Sequence, residues 1–333
     1  MSVKESPGIG LGTASAARPL PDRVRIGQHA RRKALTAVRI GALVALTVGA
    51  LATPGFTSTL SVLSLLTAMS FIGCVAVGMS FITITGNIMS LCLGATLSAS
   101  SLVFMASLGL GVLPAFLAAV AFGVAVTAAQ GFAVGYLQAN PIIVSIAGLA
   151  LILGCSDYIT GGQRIYPAGG GYQIFKEKVH GMPVEAIILF AAVAVGQVML
   201  SLTRFGRNMY MVGSNPRAAE AAGIVRWRTV TGAYTLAGLF TSVAGILLAA
   251  RYGSGDMELG TGYDYDAIAA VLVGGTAIHG GGGSVLRTLV GVAVIAAVKV
   301  ILILHGFSQQ MQYLITGLIV LGVVMLHTLG ESR

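Results

Sequence analysis

Apolar runs of membrane-spanning length follow one another along most of this chain, separated by short polar or glycine-rich breaks. A helix needs about 20 apolar residues to cross the ~30 Å hydrocarbon core of a bilayer. Ten segments qualify: 34–52, 60–79, 88–108, 113–137, 141–159, 184–203, 229–250, 263–280, 285–304 and 311–328. The pattern predicts an all-α polytopic membrane protein with about ten transmembrane helices, forming one domain over residues 34–330. The region 60–137 is nearly continuous, and its breaks fall at Gly86-Asn87 and between Gly109 and Pro114. The apolar pattern fails once on a larger scale. Residues 204–228 read RFGRNMYMVGSNPRAAEAAGIVRWR, with Arg204, Arg207, Arg217, Arg226 and Arg228 around a single acid, Glu220. Inside that stretch, Pro216 to Gly223 predicts a short helix.

Composition supports the membrane reading. Only 9% of the 333 residues are charged, against about 25% in soluble domains. Glycine, at 46 residues, is about twice its usual share, which suits close helix contacts and broken helices. The net charge of +9 sits mainly in the N-terminal tail and in 204–228, so it reads as positive-inside topology rather than as a nucleic-acid surface. Residues 1–33, rich in Gly, Ala, Pro and Arg, predict a disordered basic cytoplasmic tail. With that tail inside, six spans bring the chain back inside at the arginine-rich loop. A seventh leads outside to an acidic patch of Asp256, Glu258, Asp264 and Asp266, and ten spans end inside. Both termini are thus expected to be cytoplasmic. The external loop 160–183 reads equally as a docking surface or as a plain connector.

Chemistry narrows the function by exclusion. The chain has no Gly-Lys dipeptide and so no Walker A phosphate cradle, and it has neither His-Glu-x-x-His nor Gly-x-Ser-x-Gly. Its five histidines have no ligand spacing, and no metal site is expected. Cys74, Cys92 and Cys155 lie in apolar runs and read as buried, inert thiols. No enzyme signature is present. Lys299 stands inside AVIAAVKVILILHGF, where a cation costs roughly 2.5–3.5 kcal/mol on insertion scales. It either lines a pathway and meets a polar substrate group, or pairs with a carbonyl, or reaches the interface. Two polar breaks, Thr85 to Ser90 and Gly274 to Ser284, interrupt apolar runs, and paired breaks of this kind point to a binding or gating region. They make Asn87, Ser90 and Thr276, with Lys299, candidates for a translocation path. A tight cytoplasmic turn is the plainer reading of the second break. Gly131-x-x-x-Gly135 fits a close-packing motif. An ion-coupled carrier would need several acids within its spans, and the pattern predicts essentially none.

The stretch GSNPRAAEAAGI (213–224) resembles the cytoplasmic coupling loop of permease subunits in bacterial ABC-type sugar importers of the ribose, galactoside, xylose and arabinose kind. The likeness continues in NPIIVSIAGLALILG (140–154), TGGQRI (160–165), the 234–251 segment and YDYDAIAAVLVGGTAIHGGGGS (263–284), and it covers about residues 60–328. There are departures. TGNIMSLCLG has Ser90 about where the family commonly carries an aspartate, Lys299 replaces the usual uncharged residue, and His279 and Gly282 stand at positions often filled otherwise. The resemblance implies a type II-like importer permease in the bacterial inner membrane, translocating a monosaccharide or related polyol by alternating access. It implies a second permease subunit, identical or paralogous, and an ATPase subunit on another chain that hydrolyses ATP with Mg, this chain binding no cofactor itself. Gly213, Asn215, Pro216, Arg217, Ala218, Ala219, Glu220, Ala222 and Gly223 would form the ATPase contact. Arg164, Asp256 and Glu258 would meet a periplasmic sugar-binding protein. A nucleoside or branched-chain amino acid permease is the nearest alternative.

Overall fold

The computed structural model describes residues 56, 58–87, 89–179 and 181–331. The expected tail 1–33 and first span 34–52 lie outside them. Within the described residues, eleven α-helices follow in order. They are α1 Thr59–Ile84, α2 Leu93–Ser107, α3 Val112–Gly135, α4 Pro141–Thr160, α5 Val184–Leu202, α6 Arg204–Ser214, α7 Pro216–Ala221, α8 Arg226–Tyr252, α9 Tyr263–Val273, α10 Val285–Leu304 and α11 Gln309–Glu331. A two-residue hairpin, β1 Lys178–Val179 with β2 Met182–Pro183, lies in the loop before α5. Among the described residues, seven helices are long and apolar enough to cross a membrane: α1, α2 with its 3-10 extension to Leu110, α3, α4, α5, α8 and α10. The last expected span falls within α11.

One expected span is corrected. The segment 263–280 is helical only over the 11 residues of α9, about 16 Å at 1.5 Å per residue, roughly half a bilayer core. Gly274 and Gly275 end the helix, and Gly275 takes a positive φ of 79°. A second span starts late. The helix in 88–108 begins at Leu93, so residues 85–92 form an irregular approach to it.

Packing places α8 at the centre. Of its most apolar 18-residue stretch 78% is buried, against 11% for α4 at the rim. Lipid is as apolar as leucine, so helices associate where small residues let backbones approach. Gly131 and Gly135 of α3 face Thr231, Tyr234 and Trp227 of α8, so the small-residue motif lies on that contact. Gly238 of α8 abuts the Gly123 carbonyl of α3 in turn. Phe81 of α1 stacks on Phe240 of α8, their ring centroids 5.9 Å apart. Helices α9 and α10 pack on each other and on α1. Gly274 meets Arg287 while Gly291 meets Ala270, which makes them antiparallel.

Candidate functional site

The basic stretch folds into two helices where the sequence predicts one. Helix α6 buries Gly206, Met209, Val212 and Gly213, a three-and-four spacing that its arginines obscure in the sequence. Helix α7 is the predicted one, ending at Ala221. Asn215 caps it, its Oδ1 accepting from Ala218 N at 3.1 Å, and Pro216 occupies the first turn. The other end closes as a Schellman turn: Gly223 N donates to Glu220 O at 2.9 Å and Ile224 N to Ala219 O at 3.0 Å. Only Ala219 of this helix is buried, which fixes it to the body. Arg217, Ala218, Glu220, Ala222 and Gly223 are all exposed, whereas Gly213, expected in the same contact, is buried against the Ile84 carbonyl and so lies outside that exposed surface. Beside them lies a cleft of about 430 Å³, bounded by Glu220, Gly223, Arg226 and Trp227 on one side and by Tyr136 and Gln138 on the other. Phe132, Tyr136 and Trp227 cluster there, with the Arg228 guanidinium 5.4 Å from the Trp227 ring centre. An aromatic and basic rim of this kind belongs at a membrane interface.

The two polar breaks meet at the same end of the molecule. Gly281 N donates to Ile84 O at 2.9 Å, and Gly86 lies against Gly213 and the His279 carbonyl. Asn87 is buried and donates through Nδ2 to Thr85 Oγ1 at 2.9 Å. Ser90 is buried too, its Oγ accepting from Cys92 N at 3.3 Å. Thr276 is fully buried, and its Oγ1 has no hydrogen-bond partner among the described residues. Lys299 is not with them. It forms an ion pair with Asp266, in the first turn of α9, and lies 5.7 Å from the Tyr263 ring centre.

The acidic patch is split. Asp256 and Glu258 do face outward with Arg164, whose Nε lies 2.5 Å from Asp256 and Nη2 3.8 Å from Glu258. A bridge between Ile165 and Gly255 ties these two loops together. Asp264 and Asp266 instead enter the bundle. Asp264 Oδ1 accepts from Gly94 N at 2.6 Å and so caps the first turn of α2, whose own cap residue, Cys92, contributes no side-chain bond. A carboxylate favours a helix N-terminus because the unpaired N–H groups there carry partial positive charge. The reading of all four acids as one external patch is therefore corrected at these two positions, which lie on α9 and are held inside the bundle. Their partners are 170 and 33 residues away in sequence, so no local signal marks them. Glu185, at the start of α5, is also fully buried, 3.7 Å from Arg251. Among the thiols, Cys74 and Cys92 are buried as expected, whereas Cys155 is exposed.

A second cavity, about 610 Å³, lies between α2, α3 and α4. Leu102, Phe122, Val126, Leu151 and Ile152 dominate its wall, and its main buried polar group is Gln130, whose Nε2 lies 3.1 Å from Cys92 Sγ. That lining does not suit a hydroxyl-rich solute, which needs several convergent polar groups.

Seven helices of spanning length among the described residues, with a capped and exposed helix at one end, are the architecture of a multi-pass membrane protein. The chain belongs to the family described as branched-chain amino acid transport system / permease component, whose profile matches residues 61–324. It is 34% identical over 294 residues to the ribose import permease protein of Bacillus subtilis, covering 86% of this chain and 90% of that one. A galactose/methyl galactoside import permease protein of Haemophilus influenzae is 31% identical over 225 residues, 65% of this chain and 67% of that one. An inner membrane ABC transporter permease protein of Escherichia coli is 32% identical over 251 residues, 72% and 75% of the two chains. No solved structure matches the chain. The resemblance read from the motifs is borne out, and the chain is a multi-pass inner-membrane permease of the ABC-transporter kind.

Proposed function

We propose that this chain is the membrane-spanning subunit of an ATP-driven importer that carries a monosaccharide or related polyol inward by alternating access. The observation that carries the reading is α7, a helix capped at both ends that exposes Arg217, Ala218 and Glu220 beside an open cleft. A helix so fixed on one side and bare on the other suits a groove on an ATPase subunit. Small side chains permit close approach there, and Arg217 and Glu220 supply charges to pair across the contact. The ATP and Mg chemistry belongs to that partner. Arg164, Asp256 and Glu258, at the opposite end, suit the docking of a substrate-binding protein, and a second permease subunit completes the pathway.

Asn87, Ser90, Thr276 and Lys299 are the residues assigned to the path. Thr276 brings an unused hydroxyl, and the ammonium of Lys299 has donors beyond the one engaged by Asp266. The family description names branched-chain amino acids, but the relatives' names favour a sugar: ribose in one and galactose or methyl galactoside in another. Uptake of labelled ribose, galactose, a nucleoside and leucine, compared in cells with and without the gene, tests the choice. Loss of a sugar alone supports the reading. Loss of leucine or nucleoside uptake with sugar uptake intact contradicts it.

A further inference from the structure

Three segments meet at the base of the coupling stretch by backbone contact. They are the end of α1, the loop 274–284 between α9 and α10, and the corner between α6 and α7. The Ile84 carbonyl accepts from Gly281 N at 2.9 Å and also lies directly against Gly213, three residues before Pro216. A Cβ built on Gly213 would overlap that carbonyl and stand 2.5 Å from Gly281 N. Gly280, with φ +84°, rests on the backbone of Gly86, where a Cβ would overlap the Gly86 Cα. One side chain closes the group: Tyr210 of α6 donates through its hydroxyl to Gly283 O at 2.9 Å. Burial raises the pKa of that hydroxyl, against the opposing pull of Arg287, so it stays protonated and able to donate. By contrast Gly282, in the same loop, has room, its nearest neighbour being Ala277 Cβ at 3.6 Å from a built Cβ.

We propose that this joint transmits the ATPase stroke, and that Gly213, Gly280 and Tyr210 are positioning residues for transport. Side chains can change rotamer and absorb a displacement, whereas backbones in van der Waals contact cannot. A push on α7 therefore reaches Ser214 and Gly213, and passes to α1 through Ile84 and to α10 through Gly281 to Ser284. The two polar breaks then act as the receiving ends of the stroke, and their glycines as the faces that let three backbones touch. This inference rests on α7 being the ATPase contact.

The test uses the complex purified through a tag on the full chain, with Cys155 replaced by serine. Nitroxide labels on cysteines at Leu60 and Leu304, both exposed helix ends, report the separation of α1 from α10. Trapping the complex with ADP and vanadate shifts that distance in the parent protein. In Gly213→Ala and Gly280→Ala the shift falls by roughly half or more while the ATPase still co-purifies, and Gly282→Ala behaves as the parent does. Tyr210→Phe, which removes one hydrogen bond and adds no bulk, weakens the coupling of hydrolysis to the shift about fivefold. It decides the matter if the glycine variants fail to insert. An ATPase that co-purifies with every variant, together with an unchanged shift in Gly213→Ala and Tyr210→Phe, overturns the joint and leaves the α7 reading intact. A parent protein that brings down no ATPase overturns both.

Discussion

Lys299 is the residue whose meaning changes most between sequence and structure. In the sequence it is an isolated cation in an apolar run, and the run itself contains nothing to pair with it. In the fold the antiparallel packing of α9 on α10 brings Asp266 to it. Removing one partner of a buried pair leaves the other uncompensated, at a cost of about 3–5 kcal/mol, whereas replacing both with apolar side chains is often neutral. Lys299→Met and Asp266→Leu, taken singly, should therefore lower the unfolding temperature of the detergent-purified protein, and the double substitution should recover most of the loss. Additive losses would mean that the pair contributes nothing as a pair. Asp264 teaches the same lesson. Its carboxylate serves a helix start 170 residues earlier, a relation visible only once the chain is folded.

At the scale of elements, the long apolar helices and α7 were legible because their signals are local. Twenty apolar residues make a span, and Asn-Pro before a run of alanines makes a capped helix start. The misreadings arose where two signals compete. Residues 263–280 are apolar enough for a span, but Gly274-Gly275 halts the helix after α9 and turns the chain toward Ile84. Helix α6 hides behind Arg204, Arg207 and Asn208, although its buried positions keep helical spacing. Helix α7 has only six residues, too few to hold without help from its caps. Loss of the Asn215 cap costs about 1 kcal/mol. Asn215→Ala should thus weaken ATPase association roughly fivefold in a pull-down titration, and Asn215→Ser should largely restore it. Equal association of the two variants would remove the cap from the account.

For the whole molecule, the arrangement sorts its features to two ends. Arg164, Asp256 and Glu258 gather at one, and the α6–α7 corner, Ile84 and the loop 274–284 gather at the other. The basic loop is expected inside by charge, and the acidic cluster outside. With Cys155 replaced, a cysteine at Arg217 should react with a membrane-impermeant maleimide only in inverted vesicles, and one at Arg164 only in intact spheroplasts. Labelling of both from the same side would refute the topology. The binary pattern alone predicts this sidedness, because the prediction rests on counting spans and on where the arginines fall. The meeting of the two glycine breaks was not readable, because it depends on tertiary approach between segments about 200 residues apart.

The central claim is that α7 is where an ATPase on another chain grips this permease. Its most direct test is co-purification of that ATPase from native membranes with the intact chain, with Glu220→Arg and with residues 215–223 deleted. The ATPase should come down with the intact chain and be lost from both variants, while all three proteins remain in the membrane fraction in equal amounts. Full ATPase recovery with the deleted chain would contradict the account.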